Sequence, residues 1–167
     1  LRLGQYLTSR KLEGVLDQLT ASQVAKKEYP GLTLEEMGAR ASLAIVLGGD
    51  GTMLNIARML APFDVPLIGI NQGRIGFLTD LSIDTMLETL GAILDGSYAT
   101  ERRMLLQAEV LRGAASVFNA SAFNDVVVHR GVQGSMIEFE VRVDGQYVYS
   151  LRCDGLIIAT PTGSTAY

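Results

Sequence analysis

The sequence contains a single cysteine, Cys153, which excludes an internal disulfide framework and fits a reducing compartment. No apolar run approaches the ~20 residues that a membrane-spanning helix needs, and nothing at the N-terminus resembles a signal peptide. We therefore expect a cytoplasmic protein without a membrane partner. Basic residues are not in excess, since 14 Lys and Arg stand against 18 Asp and Glu, for a net charge of −4. This balance argues against nucleic acid as the main partner but leaves phosphorylated small molecules open, because they need only local positive potential.

The sequence does contain enough apolar material for a folded core. Hydrophobic residues make up 48% and charged residues 19% of the chain, which excludes global disorder. The 167 residues suit one domain, or one small domain with part of another. The patterns along the chain favour two parts, an α/β domain over residues 1–100 and the start of a β-rich domain over residues 101–167.

The most informative stretch is an apolar run that leads into a glycine-rich turn. Leu43–Leu47 has no polar alternation, which is typical of a parallel strand buried on both faces. Gly48-Gly49-Asp50-Gly51 follows, and helical spacing resumes over residues 53–61 with Thr52 as the expected N-cap. Asp50 is thus predicted at the carboxyl end of a strand and just before a helix, where parallel sheets bind ligands and where phosphate is favoured. Taken alone, the turn is compatible to an equal degree with a ligand-binding aspartate and with an aspartate that only caps the helix.

A second glycine-rich loop follows the next predicted strand. Val65–Ile70 predicts that strand, so strand, helix and strand form a βαβ unit with parallel pairing and a right-handed crossover. The loop Asn71–Asp80 then lies at the same sheet edge as the first turn, and the two can form one crevice. Within it, Arg74 can meet a phosphate or remain solvated, and Phe77 can face a base or pack in the core.

Weaker patterns flank this unit. Residues 1–10 are expected to hold the first strand of an α/β domain, although their pattern is poor. Helical spacing predicts helices over Lys11–Ala25 and Ile83–Leu94. Thr33, followed by Glu36, is a capping-box signature that opens a further short helix.

The spacing changes to that of β-strands near residues 97–101. Met136–Val143 alternates as an antiparallel strand with one buried face does, and Asp144-Gly145 is a hairpin signal. Strands are predicted over residues 105–111, 116–122, 123–129, 136–143 and 146–151. In the last stretch, residues 152–167, a buried strand is predicted to run into a loop.

Polar groups cluster at two places in this second part. Asn124-Asp125 precedes a valine run, where an amide and a carboxylate can bracket ribose hydroxyls or simply form a turn. Thr160–Tyr167 is rich in hydroxyls, which can meet a nucleobase or a phosphate. His129, the only histidine, is expected to be structural.

Four segments, taken in order, resemble the bacterial NAD kinase family. They are Gly48–Thr52, Asn71–Leu78, Asn124-Asp125 and Asp154–Tyr167, the last of which contains Thr-Pro-Thr-Gly-Ser-Thr-Ala-Tyr. The first segment alone is not specific, because lipid kinases and phosphofructokinases have similar turns, whereas the last is specific. The resemblance extends from about residue 33 to residue 167.

The resemblance implies a Rossmann-like α/β domain followed by a β-sandwich domain, here incomplete, with NAD bound between them. It implies that a phosphoryl group passes from ATP or polyphosphate to the 2′-hydroxyl of the adenosine ribose of NAD, giving NADP. A divalent cation, with Mg²⁺ expected, and a homo-oligomer are also implied. By this resemblance Asp50 is the proton acceptor. Gly48, Gly49 and Gly51 are expected to bind phosphate, because glycines let backbone N–H groups approach phosphate oxygens at a helix N-terminus. The positions that match NAD contacts of the family are Gly51, Asn124, Asp125, Ser135, Arg152, Asp154, Thr162, Thr165, Ala166 and Tyr167. Asp50 and Phe77 are also expected to contact NAD.

Two departures from the family pattern and two alternatives remain. The family's first strand is not recognisable in residues 1–10, and the rest of the sandwich does not follow Tyr167, so the activity is expected of a longer parent enzyme. One alternative is a lipid kinase of the diacylglycerol type, and the other is a nucleotide-binding fragment without turnover. A helix N-terminus also lowers the pKa of a carboxylate, so Asp50 is expected to orient the hydroxyl or a metal more than to remove a proton.

Overall fold

The computed structural model describes residues 2–24, 28–73, 76–79, 81–132 and 134–165. The chain divides into two compact units, Leu1–Glu101 and Arg102–Tyr167. The first combines helices with parallel strands and the second consists of antiparallel strands. The predicted fold class, an α/β part followed by a β-rich part, is therefore confirmed.

Helices and short strands alternate in the first unit. Its helices are α1 (Arg2–Ser9), α2 (Gln18–Gln23), α3 (Leu34–Arg40), α4 (Asp50–Leu60) and α5 (Met86–Leu94). Its strands are β1 (Leu16–Asp17), β2 (Gly31–Leu32), β3 (Ala44–Leu47), β4 (Leu67–Asn71) and β5 (Leu81–Ser82). None of the described helices is long and apolar enough to cross a bilayer.

A parallel sheet in the order β3-β4-β5 forms the centre of this unit. Ala44 pairs with Leu67 and Leu47 with Ile70, so the predicted βαβ unit has its expected parallel pairing. Because the carboxyl ends of parallel strands meet at one edge, the turn after β3 lies beside the loop after β4. This edge is where the candidate site is built.

The burial of β3 differs from the expectation. Ala44 and Val46 are only 6% exposed, whereas Leu47 is 42% exposed. Alternate residues of a strand point to opposite faces, so one face of β3 is covered and the other is partly open. The prediction of burial on both faces was wrong for this strand.

The N-terminal predictions also need correction. Residues 2–9 form helix α1 rather than a strand. The helix predicted over Lys11–Ala25 is interrupted, because β1 pairs in parallel with β2 and Asp17 then starts α2 as its N-cap. The Asp17 carboxylate accepts hydrogen bonds from two backbone N–H groups of the first turn of α2, which fixes that start. The capping box of Thr33 and Glu36 is confirmed at the start of α3.

Helix α4 begins earlier than predicted. Its N-cap is Gly49 rather than Thr52, and the Gly49 carbonyl accepts from the N–H groups of Thr52 and Met53. Thr52 therefore lies inside the first turn. No side chain caps α4, because its N-cap is a glycine. The Asp50 carboxylate instead accepts hydrogen bonds from residues 77–79 of a different segment.

The second unit consists of paired antiparallel strands. They are β6 (Leu106–Arg112), β7 (Ala115–Ala122), β8 (Asp125–His129), β9 (Ile137–Val143), β10 (Gln146–Cys153) and β11 (Gly155–Ala159). β6 pairs with β7, β9 with β10, and β8 with β11. The predicted hairpin at Asp144-Gly145 is confirmed, with φ values of 50° and 77° that suit a tight hairpin turn.

Candidate active site

The Asp50 carboxylate lies at the sheet edge where β3 and β4 end. It accepts a hydrogen bond from Phe77 N on Oδ2 at 2.8 Å, and Oδ1 accepts from Leu78 N at 3.1 Å. Thr79 Oγ1 donates to Oδ1 at 3.2 Å. The carboxylate is therefore fixed by three consecutive residues of the loop after β4.

These hydrogen bonds set the charge state of Asp50. Burial of the carboxyl acts to raise its pKa, but the donors on Phe77, Leu78 and Thr79 act in the opposite direction and prevail. The pKa of Asp50 lies below its ordinary value. Asp50 is thus a fixed, ionised acceptor at neutral pH and a weak base in this arrangement.

A buried polar pair lies behind Asp50. Asn71 ends β4 and is 7% exposed, and Thr79 is fully buried at 0%. Asn71 Nδ2 donates to Thr79 Oγ1 at 3.0 Å, and Asn71 Oδ1 accepts from Gly73 N at 2.7 Å. The end of β4 is thereby connected, through Thr79, to the Asp50 carboxylate.

The loop approaches Asp50 closely at Gly76. A Cβ atom on Gly76 would lie 2.2 Å from Oδ1 and 2.6 Å from Oδ2 of Asp50. Only a residue without a side chain fits there while the carboxylate stays in place.

The three glycines of the turn differ in what they offer a phosphate. Gly48 N donates to Ile70 O at 2.9 Å and extends the β3–β4 ladder, so this N–H is not free for a ligand. Gly49 is the N-cap of α4 and Gly51 lies in its first turn. Apart from the adjoining residues and the backbone of α4, no atom of the described residues lies within 4 Å of the place where a Cβ of either glycine would be. Phe77 is 63% exposed, so the alternative in which it packs in the core is not observed.

In the second unit, the structure brings Asn124 and the loop after β11 together. Thr160 is 1% exposed, and its hydroxyl donates to Phe123 O at 2.8 Å and accepts from Gly163 N at 3.1 Å. A Cβ on Gly163 would lie 2.3 Å from Asn124 O, so loop and strand start are in direct contact. Thr162 accepts from Arg103 at 3.3 Å.

Other predicted site residues lie at the opposite end of the β8–β11 pair. Ala159 pairs with Asp125 at one end and Gly155 with His129 at the other, a separation of about 13 Å at ~3.3 Å per residue. Asp154 forms an ion pair with Arg130 at 3.1 Å beside the His129 end. Arg152 lies on β10 and Ser135 precedes β9, and both are exposed.

Two of the predicted contacts, Ala166 and Tyr167, lie outside the described residues, as does Arg74. Thr165 is described and exposed. Within the described part of the chain, no three His, Cys, Asp or Glu side chains lie close enough to hold a metal ion. These residues therefore form no protein-only metal site.

The sequence reasoning missed three residues that organise the site. Asn71 and Thr79 fix Asp50, and Thr160 fixes the loop after β11. A polar side chain that ends an apolar strand was a usable signal for Asn71. Nothing local distinguished Thr79 or Thr160 from surface threonines.

The fold is shared with a solved kinase. The crystal structure of yeast NADH kinase complexed with NADH matches with a TM-score of 0.83 and 22% identity, over 99% of this chain and 54% of that chain. At this identity the match shows the fold, an α/β unit followed by a β-rich unit.

Sequence comparison then defines the family. The family model of the ATP-NAD kinase N-terminal domain matches residues 6–98, and that of the ATP-NAD kinase C-terminal domain matches residues 123–167. The chain belongs to the ATP-NAD kinase family.

Curated relatives agree with this assignment. A protein named NAD kinase from Nitrosomonas europaea is 66% identical over 167 residues, which is 100% of this chain and 56% of the relative. NAD kinases from Aromatoleum aromaticum and Paraburkholderia phytofirmans are 54% and 50% identical, over 100% and 99% of this chain and 56% and 55% of the relatives. The chain spans about half the length of the curated relatives it matches.

Proposed function

We propose that the full-length protein is an NAD kinase, which transfers the γ-phosphoryl group of ATP to the 2′-hydroxyl of the adenosine ribose of NAD. The observation that carries this proposal is the Asp50 carboxylate, fixed by three hydrogen bonds at the carboxyl end of a parallel strand and at the start of α4. Family membership supplies the substrate class. Because the chain covers 56% of its relative from Nitrosomonas europaea, we assign the activity to the full-length protein.

Asp50 acts on the attacking hydroxyl. The 2′-oxygen forms a bond to the γ-phosphorus, the bond from that phosphorus to the oxygen of ADP breaks, and the hydroxyl loses its proton. Phosphoryl transfer passes through a loose transition state, so positioning and charge stabilisation dominate. An ionised Asp50 with a lowered pKa orients the hydroxyl as a hydrogen-bond acceptor and receives its proton as the new bond forms.

The remaining groups are assigned to binding. Backbone N–H groups at Gly49 and Gly51, with the N-terminal dipole of α4, suit phosphate oxygens. Asn124, Asp125 and Thr162 are assigned to a ribose, and exposed Phe77 to a base. The other assigned NAD contacts are Ser135, Arg152, Asp154, Thr165, Ala166 and Tyr167.

The divalent cation enters this proposal only as the ion that ATP carries. Mg²⁺ commonly binds through substrate phosphates with one or two carboxylates, and the described residues form no metal-binding cluster of their own.

Polyphosphate remains a second candidate donor of the phosphoryl group. A cytoplasmic location and a homo-oligomeric state also belong to the proposal, to be checked by cell fractionation and by sedimentation of the purified protein.

The test is incubation of the full-length protein with labelled ATP and either NAD or diacylglycerol. We expect label only in a product that an NADP-specific dehydrogenase reduces. Label that appears only in lipid would instead identify a lipid kinase. Calorimetric binding of NAD without any NADP would identify a nucleotide-binding protein without turnover. Parallel reactions with polyphosphate and with NADH define the donor and the redox form of the substrate.

A further inference from the structure

The Asp50 carboxylate is supported by two buried side chains whose chemistry fixes the direction of a hydrogen-bond chain. Thr79 and Asn71 are 0% and 7% exposed. Neither lies in the glycine turn, and neither is among the residues assigned to ligand binding.

The orientation of the Asn71 amide follows from its partners. The backbone N–H of Gly73 can only donate, so the Asn71 atom that it meets at 2.7 Å is the amide oxygen. The amide nitrogen then faces Thr79 Oγ1 at 3.0 Å and donates to it. The Asx turn between Asn71 and Gly73 thus decides which end of the amide points at Thr79.

The direction of the Thr79 hydroxyl follows in turn. A hydroxyl has one proton to donate and two lone pairs to accept with. Because Asn71 already donates to Thr79 Oγ1, the Thr79 proton is directed at its other partner, Asp50 Oδ1, at 3.2 Å. The chain therefore runs in one direction, from Asn71 through Thr79 to Asp50.

We propose that Thr79 and Asn71 are positioning residues for the phosphoryl transfer: Thr79 holds the Asp50 carboxylate in the orientation that meets the substrate hydroxyl, and Asn71 fixes the direction of the Thr79 proton. This inference rests on the proposed function. Both side chains are buried and are linked to the Asp50 carboxylate by hydrogen bonds, so the proposed role is exercised through Asp50. Misplacement of a reacting group by about 1 Å can lower a rate by ~10²-fold. Buried residues that hold Asp50 in place can therefore affect the rate of phosphoryl transfer without contributing a reacting group.

Three variants of the full-length protein test the roles separately. Thr79→Val keeps the shape and removes the donor, whereas Thr79→Ser keeps the donor and removes a methyl group. Asn71→Asp is nearly isosteric but places an acceptor opposite Thr79 Oγ1. The Thr79 proton then turns toward position 71 and leaves Asp50.

For each variant, kcat, KM for NAD and the calorimetric Kd for NAD are measured. The free energy lost with a hydrogen bond to a charged group is equivalent to a change of about tenfold in a rate or equilibrium constant. We expect Thr79→Val and Asn71→Asp to lower kcat by about that factor while the Kd for NAD changes less than about twofold. Thr79→Ser should stay within about twofold of the parent in both quantities.

A second readout does not depend on activity. The Asp50 carboxyl carbon is followed by NMR titration, with Asp50→Asn used to assign its resonance. We expect its pKa to rise in Thr79→Val, where a donor to the charged form is lost, and to stay unchanged in Thr79→Ser. Asn71→Asp is left out of this titration, because its new carboxylate raises the pKa of Asp50 by charge repulsion alone.

The outcomes separate this inference from the proposed function. If the parent protein forms no NADP, the proposed function fails, while the titration still shows whether Thr79 donates to Asp50. If NADP forms normally but Thr79→Ser is as impaired as Thr79→Val, the methyl group matters rather than the hydroxyl, and the positioning role is wrong. An Asp50 pKa and a kcat that are both unchanged in Thr79→Val would also overturn it. Should Thr79→Val fail to fold, Asn71→Asp decides the question by kcat, and a kcat within about twofold of the parent would overturn the positioning role.

Discussion

Gly76 and Asp50 occupy adjoining space, such that a Cβ atom on Gly76 would lie 2.2 Å from Asp50 Oδ1 and 2.5 Å from Cγ. The next three residues of the chain donate the hydrogen bonds that hold the carboxylate. The absence of a side chain at position 76 is thus a condition for the geometry at Asp50.

Gly76→Ala should therefore displace the Asp50 carboxylate or the loop that binds it. We expect kcat for NADP formation to fall by ~10²-fold, as is typical when a reacting group is misplaced by about 1 Å. The matched control is Gly73→Ala in the same loop, where, apart from the adjoining residues, the nearest atom of the described residues to the new Cβ is Asn71 Oδ1 at an ordinary 3.8 Å. Equal losses in the two variants would show that the loop, rather than the contact with Asp50, is sensitive to substitution.

The lowered pKa of Asp50 predicts a dependence of stability on pH. The pKa of Asp50 in the folded state lies below its value in the unfolded state. Ionised Asp50 therefore adds to the free energy of unfolding above about pH 3.9, and this contribution is lost as the pH falls through the folded-state pKa. In a series of urea unfolding curves, the free energy of unfolding should decrease less steeply below about pH 4 in Asp50→Asn than in the parent.

Glu36 is the control for this measurement, because its pKa is also lowered, chiefly by hydrogen bonds with Thr33 in the capping box. Glu36→Gln should also make the free energy of unfolding decrease less steeply with falling pH, and this effect should be independent of the effect of Asp50→Asn. A parent-like slope in Asp50→Asn would show that the three donors do not stabilise the charged carboxylate.

The second unit supplies a test of NAD recognition. Asp125→Ala and Thr162→Val should each weaken NAD binding more than ATP binding, by ~1–3 kcal/mol, because a polar ligand group is left without its partner. Ser164→Ala is the control in the same loop, since Ser164 is exposed and its hydroxyl donates to Pro161 O at 2.9 Å. Calorimetry with each nucleotide measures both affinities. Parallel losses for NAD and ATP would assign these residues to folding rather than to NAD.

Local patterns were sufficient to predict the elements that build the site. The apolar run before Gly48 and the next run after Pro66 did form neighbouring parallel strands, and the capping box at Thr33 and the hairpin at Asp144 formed as predicted. Each of these features is encoded within a few residues of the chain.

Long-range contacts were not predictable in this way. Asp50 looked like a helix cap or a free carboxylate, yet its partners lie 27 to 29 residues further along the chain. Helical spacing over Lys11–Ala25 was overridden when Leu16–Asp17 paired with Gly31–Leu32. In both cases a tertiary contact decided the outcome: it settled the open role of Asp50, and it overrode the helix predicted over Lys11–Ala25.

The most direct test of the account is the activity of Asp50→Asn in the full-length protein, measured as NADP formed from NAD and ATP beside the calorimetric Kd for NAD. Asp84→Asn, the same change at an exposed aspartate, is the control and should retain parent activity. We predict that Asp50→Asn lowers kcat by ~10²–10⁴-fold while NAD affinity stays within a few-fold of the parent. A loss of less than about tenfold would contradict the account and leave Asp50 as a structural link between α4 and the loop after β4.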